Sequence, residues 1–103
     1  ATSEATAATV RDLMINVVKS GTGKAAQLPG ITVAGKTGTA QTTPDKNPHA
    51  WFIAFAPAEA PRYAIAVIVE NGGSQGGDAT GGHLAAPIAE QVLRYLLVPG
   101  TAP

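Results

Sequence analysis

Apolar residues near the start of the chain recur with a helical period. Val10, Leu13, Met14, Val17 and Val18 fall at the i, i+3, i+4, i+7, i+8 spacing of one helix face. Ser3 can cap the first turn and Glu4 meets the positive end of the helix dipole. The pattern predicts a helix over about 4–19, closed by Lys19 and by a left-handed glycine stop at Gly21 or Gly23. Three extended segments follow. Residues 31–40 carry β-branched side chains at 31, 32, 33, 37 and 39, residues 50–56 read AWFIAFA, and residues 63–70 read YAIAVIVE. The polar stretch 41–48 is a natural hairpin loop, 57–61 a second turn, and 71–82 a glycine-rich loop. A final helix is expected over about 83–97, with Leu84, Ile88, Val92, Tyr95 and Leu96 on one face and Pro87 confined to its first turn.

Strand alternation carries the next step. In AWFIAFA one face holds Trp51, Ile53 and Phe55, and the other holds Phe52, Ala54 and Ala56. In YAIAVIVE, Tyr63, Ile65, Val67 and Val69 oppose Ala64, Ala66 and Ile68. Both faces of both strands are apolar, so each side of the sheet needs cover. Short links favour antiparallel pairing, and two helices can cover one side only. Phe52 and Ile68 are large for open surface, so a further layer from upstream residues or a partner chain is expected. Simple exposure of alanine-rich strands is the alternative.

Composition sharpens this picture. The chain has 103 residues, enough for one small domain or part of one. Of its 46 hydrophobic residues 20 are Ala, which leaves a thin core for a self-sufficient unit. Seven Lys and Arg balance seven Asp and Glu, so the basic excess of an electrostatic nucleic-acid binder is missing. Without cysteine there is no disulfide framework and no thiolate zinc site. No apolar run is long enough to span a bilayer. The first residue is Ala1 rather than Met, and an upstream segment is expected.

Two motifs compete for the string Gly35-Lys36-Thr37-Gly38-Thr39-Ala40. Gly30, four residues and Gly35-Lys36-Thr37 match the phosphate-binding P-loop, G-x-x-x-x-G-K-[ST], letter for letter. Glu70, closing an apolar run, can pass for its magnesium-holding acid. A P-loop needs a strand before its first glycine and a helix opening at Lys-Thr. Here Leu28-Pro29 precedes, Ile31, Thr32 and Val33 prefer extended backbone, and Gly38, more threonines and Pro44 follow. The second claim is a K-T-G box on a strand, one of the signatures of penicillin-recognising serine enzymes.

The context of that box is specific. GKTGTA is followed by His49-Ala50-Trp51-Phe52-Ile53-Ala54-Phe55-Ala56-Pro57, a strand ending Val69-Glu70-Asn71, a glycine-rich loop and a helix opening Ala85-Ala86-Pro87-Ile88. The order resembles the C-terminal part of the transpeptidase domain of class B, monofunctional penicillin-binding proteins, over nearly the whole chain. The resemblance implies an α+β fold, part of the β-lactamase/D,D-peptidase sandwich with the other helical layer missing, and makes residues 1–103 the C-terminal segment of one domain. It implies a D,D-transpeptidase that cross-links peptidoglycan stem peptides through a serine acyl-enzyme and reacts with β-lactams. It gives Lys36 the role of charge beside the serine–lysine proton network and attraction for the substrate carboxylate. Thr37 and Thr39 would donate hydroxyl hydrogen bonds to that carboxylate, and the Thr39 backbone N–H would form half of the oxyanion hole. Gly38 would leave room for the peptide, which would pair along the strand through Ala40 by β-augmentation. Strict alternation puts Lys36 and Thr37 on opposite faces, so a local twist or bulge is expected.

The chain departs from the family at one decisive point. Ser3, Ser20 and Ser74 are followed three positions later by Thr6, Gly23 and Gly77, so no S-x-x-K exists, and no S-x-N exists either. Both boxes are expected upstream, in the layer facing this sheet, which makes the chain by itself inactive. A D,D-carboxypeptidase, a β-lactamase or a non-catalytic β-lactam sensor of the same superfamily would share the K-T-G box, with the P-loop protein as the remote rival. The resemblance also implies a place on the extracytoplasmic face of the bacterial membrane, with the anchor outside this chain. No cofactor or metal is expected. His49 and His83 lie far apart without a carboxylate cluster, and a capping or surface role suits both. Gly21-Thr22-Gly23-Lys24-Ala25-Ala26 imitates a dinucleotide fingerprint but reads better as a helix end and loop, Trp51 as core or groove edge, and Glu70 as a solvent-boundary strand end.

Overall fold

A computed structural model describes residues 2–40, 49–70 and 81–98. The elements are α1 (Glu4–Ser20), a 3-10 turn (Lys24–Ala26), β1 (Ala34–Ala40), β2 (His49–Ala56), β3 (Tyr63–Val69), a π-helical turn (Gly81–Ala85) and α2 (Ala86–Leu97). The two helices and three antiparallel strands match the expected α+β order. The hairpin loop at 41–48 and the glycine-rich stretch 71–80 lie outside the described residues.

The sheet order is β1-β2-β3, so β1 and β3 are its two edges among the described residues. β1 meets β2 one for one from Ala34↔Phe55 to Ala40↔His49, and β2 meets β3 from Ala50↔Val69 to Ala56↔Tyr63. β1 begins three residues later than the sequence pattern suggests. Leu28 and Ile31 instead close a small bridge around Gly30, whose φ of 73° is the left-handed conformation a glycine tolerates.

Ser3 caps α1 as expected, its Oγ accepting from the Thr6 N–H at 3.1 Å. The far end corrects the expected glycine stop. Gly21 (φ −108°) and Gly23 (φ −97°) are not left-handed. Their N–H groups both donate to the Val17 carbonyl, and the Gln27 side-chain amide donates to the carbonyls of Val18 and Lys19 at 3.0 and 2.9 Å. Two orphan carbonyls of the last turn are thus satisfied by one side chain, nine and eight residues away.

The core lies between the helices and one face of the sheet. Phe52 and Leu93 are fully buried there with Val18, Leu28, Val33, Ala54, Ala56, Ala86 and Ala89, and Ile65 and Val67 pack against them. Cover on this face corrects one expectation: Phe52 is not a residue of the open side. Its partner on β3 is Val67, whereas Ile68 pairs with Trp51 on the opposite face.

α2 supplies a further correction. The anticipated face of Ile88, Val92, Tyr95 and Leu96 is turned outward, and Ala86, Ala89 and Leu93 form the buried stripe. An alanine stripe lets the helix backbone approach a sheet already filled by Phe52, Ile65 and Val67; a stripe of larger residues would overfill that space. Pro87 does sit in the first turn of α2, while the turn before it is wound as a π-helix. On α1 the apolar stripe is covered mainly at its C-terminal end, with Val18 buried and Leu13 60% exposed.

Candidate active site

The K-T-G box occupies the middle of β1, the strand whose outer edge is unpaired among the described residues. Lys36 and Thr37 are therefore mid-strand, flanked on both sides by residues in register with β2. A P-loop requires a helix to open at that dipeptide, and the structure has none, which removes the nucleotide-binding reading.

Register assigns each residue to a side. Lys36 lies opposite Ile53 and Gly38 opposite Trp51, so both belong to the face that also carries Ile68. Thr37 and Thr39 lie opposite Phe52 and Ala50, on the side of the helices. Of the expected twist or bulge, the bulge is absent: pairing runs without interruption through the box, and alternation holds. The lysine Nζ donates to the carbonyl oxygen of the next residue, Thr37, at 2.7 Å. The ammonium and the Thr37 backbone thus meet although the two side chains leave opposite faces. Lys36 and Thr39 are exposed, while Thr37 and Gly38 are half-buried.

The two glycines of this strand differ. A Cβ on Gly35 would fall 2.5 Å from Phe52 Cζ and 3.0 Å from the Ile53 carbonyl oxygen, so the core itself demands glycine there. A Cβ on Gly38 would meet only Trp51 Cβ, at 3.6 Å, an ordinary contact. Nothing within the described fold requires Gly38 to lack a side chain.

The lysine face is an apolar wall. Trp51, Ile53 and Ile68 are 38%, 46% and 42% exposed, and Ala64 and Ala66 are exposed beside them. Among the described residues no layer covers this face, as strand alternation anticipated. A pocket of about 330 Å³ lies elsewhere, between the end of α1 and residues 27–33, and is lined by Ile15, Val18, Leu28 and Ile31 among others.

One contact beside the box was not foreseen from the sequence. Thr22, in the loop after α1, places its Oγ1 2.8 Å from Thr37 Oγ1. The two threonines are fifteen positions apart, and no periodicity or motif spacing links them. His49 opens β2 opposite Ala40, Glu70 is exposed just after β3, and His83 belongs to the turn before α2. Among the described residues no three His, Asp or Glu side chains gather into a metal site, and no helix is long and apolar enough to cross a membrane.

Comparison with known proteins gives these features a context. Residues 1–94 match the family model described as the penicillin binding protein transpeptidase domain. The peptidoglycan D,D-transpeptidase PbpA of Mycobacterium tuberculosis is 48% identical over 100 residues, covering 94% of this chain and 20% of the relative. The D,D-transpeptidase MrdA of Acinetobacter baumannii is 39% identical over 103 aligned residues, covering 86% of this chain and 14% of the relative. Among solved structures, the ceftriaxone acyl-enzyme complex of penicillin-binding protein A from M. tuberculosis superposes with a TM-score of 0.77 at 47% identity, over 88% of this chain and 21% of that one. The transpeptidase domain of a D,D-transpeptidase from Legionella pneumophila superposes with a TM-score of 0.82 at 40% identity, over 92% of this chain and 36% of that one. The chain spans about a fifth of the length of its mycobacterial relatives. With a K-T-G box on an edge strand, an apolar sheet face beside it and a family match over most of its length, the chain belongs to the penicillin-binding protein transpeptidase domain family.

Proposed function

We propose that this chain is the K-T-G-bearing wall of a peptidoglycan D,D-transpeptidase whose nucleophilic serine is carried by other residues of a longer protein. One observation supports this most: among the described residues, an exposed lysine on an unpaired strand edge borders an exposed apolar wall of Trp51, Ile53 and Ile68. An apolar wall beside a polar edge suits a site completed by a second packed layer. The relatives named D,D-transpeptidases, and a neighbour solved as a ceftriaxone acyl-enzyme, favour acyl transfer over the other chemistries of the superfamily.

In this reading the serine oxygen attacks the carbonyl carbon of the penultimate D-Ala of a stem peptide. The terminal D-Ala leaves as its amine takes a proton, and the amine of a second stem peptide then displaces the serine to form the cross-link. Lys36 supplies positive charge for the substrate's terminal carboxylate and for the proton network of the nucleophile. Thr37 and Thr39 offer hydroxyl donors to that carboxylate, and the Thr39 N–H stabilises the developing oxyanion. Gly38 leaves the peptide room, consistent with the lack of any internal demand for glycine there. The donor peptide extends β1 along its free edge through Ala40. A β-lactam, which carries both a reactive amide carbonyl and a carboxylate, enters the same site and acylates the serine. Peptidoglycan lies outside the cytoplasmic membrane, so the whole protein works on the extracytoplasmic face.

The test is product analysis with the whole protein, a donor peptide ending in D-Ala-D-Ala and an acceptor amine. Transpeptidation yields one released D-Ala for each cross-linked product. Release of D-Ala with water alone as acceptor would instead identify a carboxypeptidase, and rapid turnover of a penicillin a β-lactamase.

A further inference from the structure

The hydroxyl of Thr22 has a place in this site that no strand or motif assigns to it. It sits 2.8 Å from the hydroxyl of Thr37. Both side chains are outside the buried core, so the contact is worth little to folding. Thr22 is nevertheless held in place. Its backbone follows the Gly21 turn that closes α1, and a Cβ on Gly82 would come 2.3 Å from the Thr22 carbonyl oxygen. The turn before α2 therefore packs its backbone directly onto Thr22.

Hydroxyl chemistry gives that arrangement a consequence. Each threonine oxygen has one proton to donate and two lone pairs to accept with. When Thr22 donates to Thr37, the Thr37 rotor is fixed and its own proton is left to point at an anionic acceptor. A threonine without that partner must find the productive rotamer after the ligand arrives, which lowers the rate. We infer that Thr22 is a positioning residue: its hydroxyl orients Thr37 to donate to the carboxylate of a peptide or β-lactam bound along β1. The inference rests on the transpeptidase reading above and assigns the residue that prepares its carboxylate site.

The experiment measures acylation of the whole protein by a penicillin bearing a free carboxylate and by its methyl ester. Thr22→Val and Thr22→Ala both remove the hydroxyl, with and without the shape of the side chain, and Thr22→Ser restores it. Both deletions are expected to slow acylation by the carboxylate form about tenfold, a smaller loss than that of a donor contacting the reacting atoms directly. The ester rate should change less than twofold, Thr22→Ser should return the carboxylate rate to within about threefold, and the melting temperatures should stay together. In a Thr37→Ala background the Thr22 deletions should have no further effect, because coupled residues are not additive. Equal slowing of ester and acid would make Thr22 a structural residue, and no slowing of either would leave it without a role; both results overturn the inference. An unsubstituted protein that neither penicillin form acylates would overturn the transpeptidase reading itself, and so is distinguishable from failure of the Thr22 proposal.

Discussion

Lys36 is exposed and makes its one described polar contact to a neighbouring backbone oxygen, so its removal costs the fold almost nothing. Lys36→Ala in the whole protein should leave the melting temperature within about 2 °C. Acylation by a penicillin should fall on the order of 100-fold, the scale of a lost electrostatic contact in an active site. The glycines of β1 separate fold from function in the same way. Gly35→Ala drives a methyl group into Phe52 and the Ile53 backbone and should destabilise by about 1–3 kcal/mol in denaturant unfolding. Gly38→Ala meets only the Cβ of Trp51 and should keep full stability while slowing acylation. Equal stability losses for the two variants would contradict these assignments. The box itself was legible in the sequence because its letters are contiguous. Thr22 was not, because its partnership with Thr37 exists only once α1 has ended and the chain has turned back along β1.

Secondary structure was read well where local pattern and packing agree, and misread where close packing prevailed. The Ser3 cap and the three strands follow from local chemistry. Ser3→Ala should cost about 1 kcal/mol and should speed amide exchange in the first turn of α1 ahead of the rest of the helix. α2 was placed but rotated: its larger apolar residues look outward, and an alanine stripe with Leu93 meets the sheet. Periodicity alone cannot choose between two apolar stripes, because only the depth of the space left by Phe52 and Val67 decides which one fits. Leu93→Ala should accordingly destabilise by about 2–5 kcal/mol, and Val92→Ala, one position along on the outward face, by far less. Similar losses at 92 and 93 would contradict the observed rotation. Strand β1 also begins later than its β-branched residues suggest, since Gly30 is spent in the small turn that closes on Ile31.

Taken together, the described residues form a sheet with helices on one of its faces. Helices and core fill one side of the sheet, and the other offers Trp51, Ile53 and Ile68 beside Lys36. Alternation within two strands was enough to foresee that open layer, although not which of Phe52 and Ile68 belonged to it; the β2–β3 register settles that point. The proposed function requires the reactive serine to come from polypeptide that packs against this wall. The direct measurement is covalent labelling by a fluorescent penicillin, run on the whole protein and on this chain alone, with the modified residue mapped by mass spectrometry. The whole protein should be labelled on a serine within an S-x-x-K sequence, and the isolated chain should remain unlabelled. A label on Ser3, Ser20 or Ser74, or on the isolated chain at any residue, would contradict it.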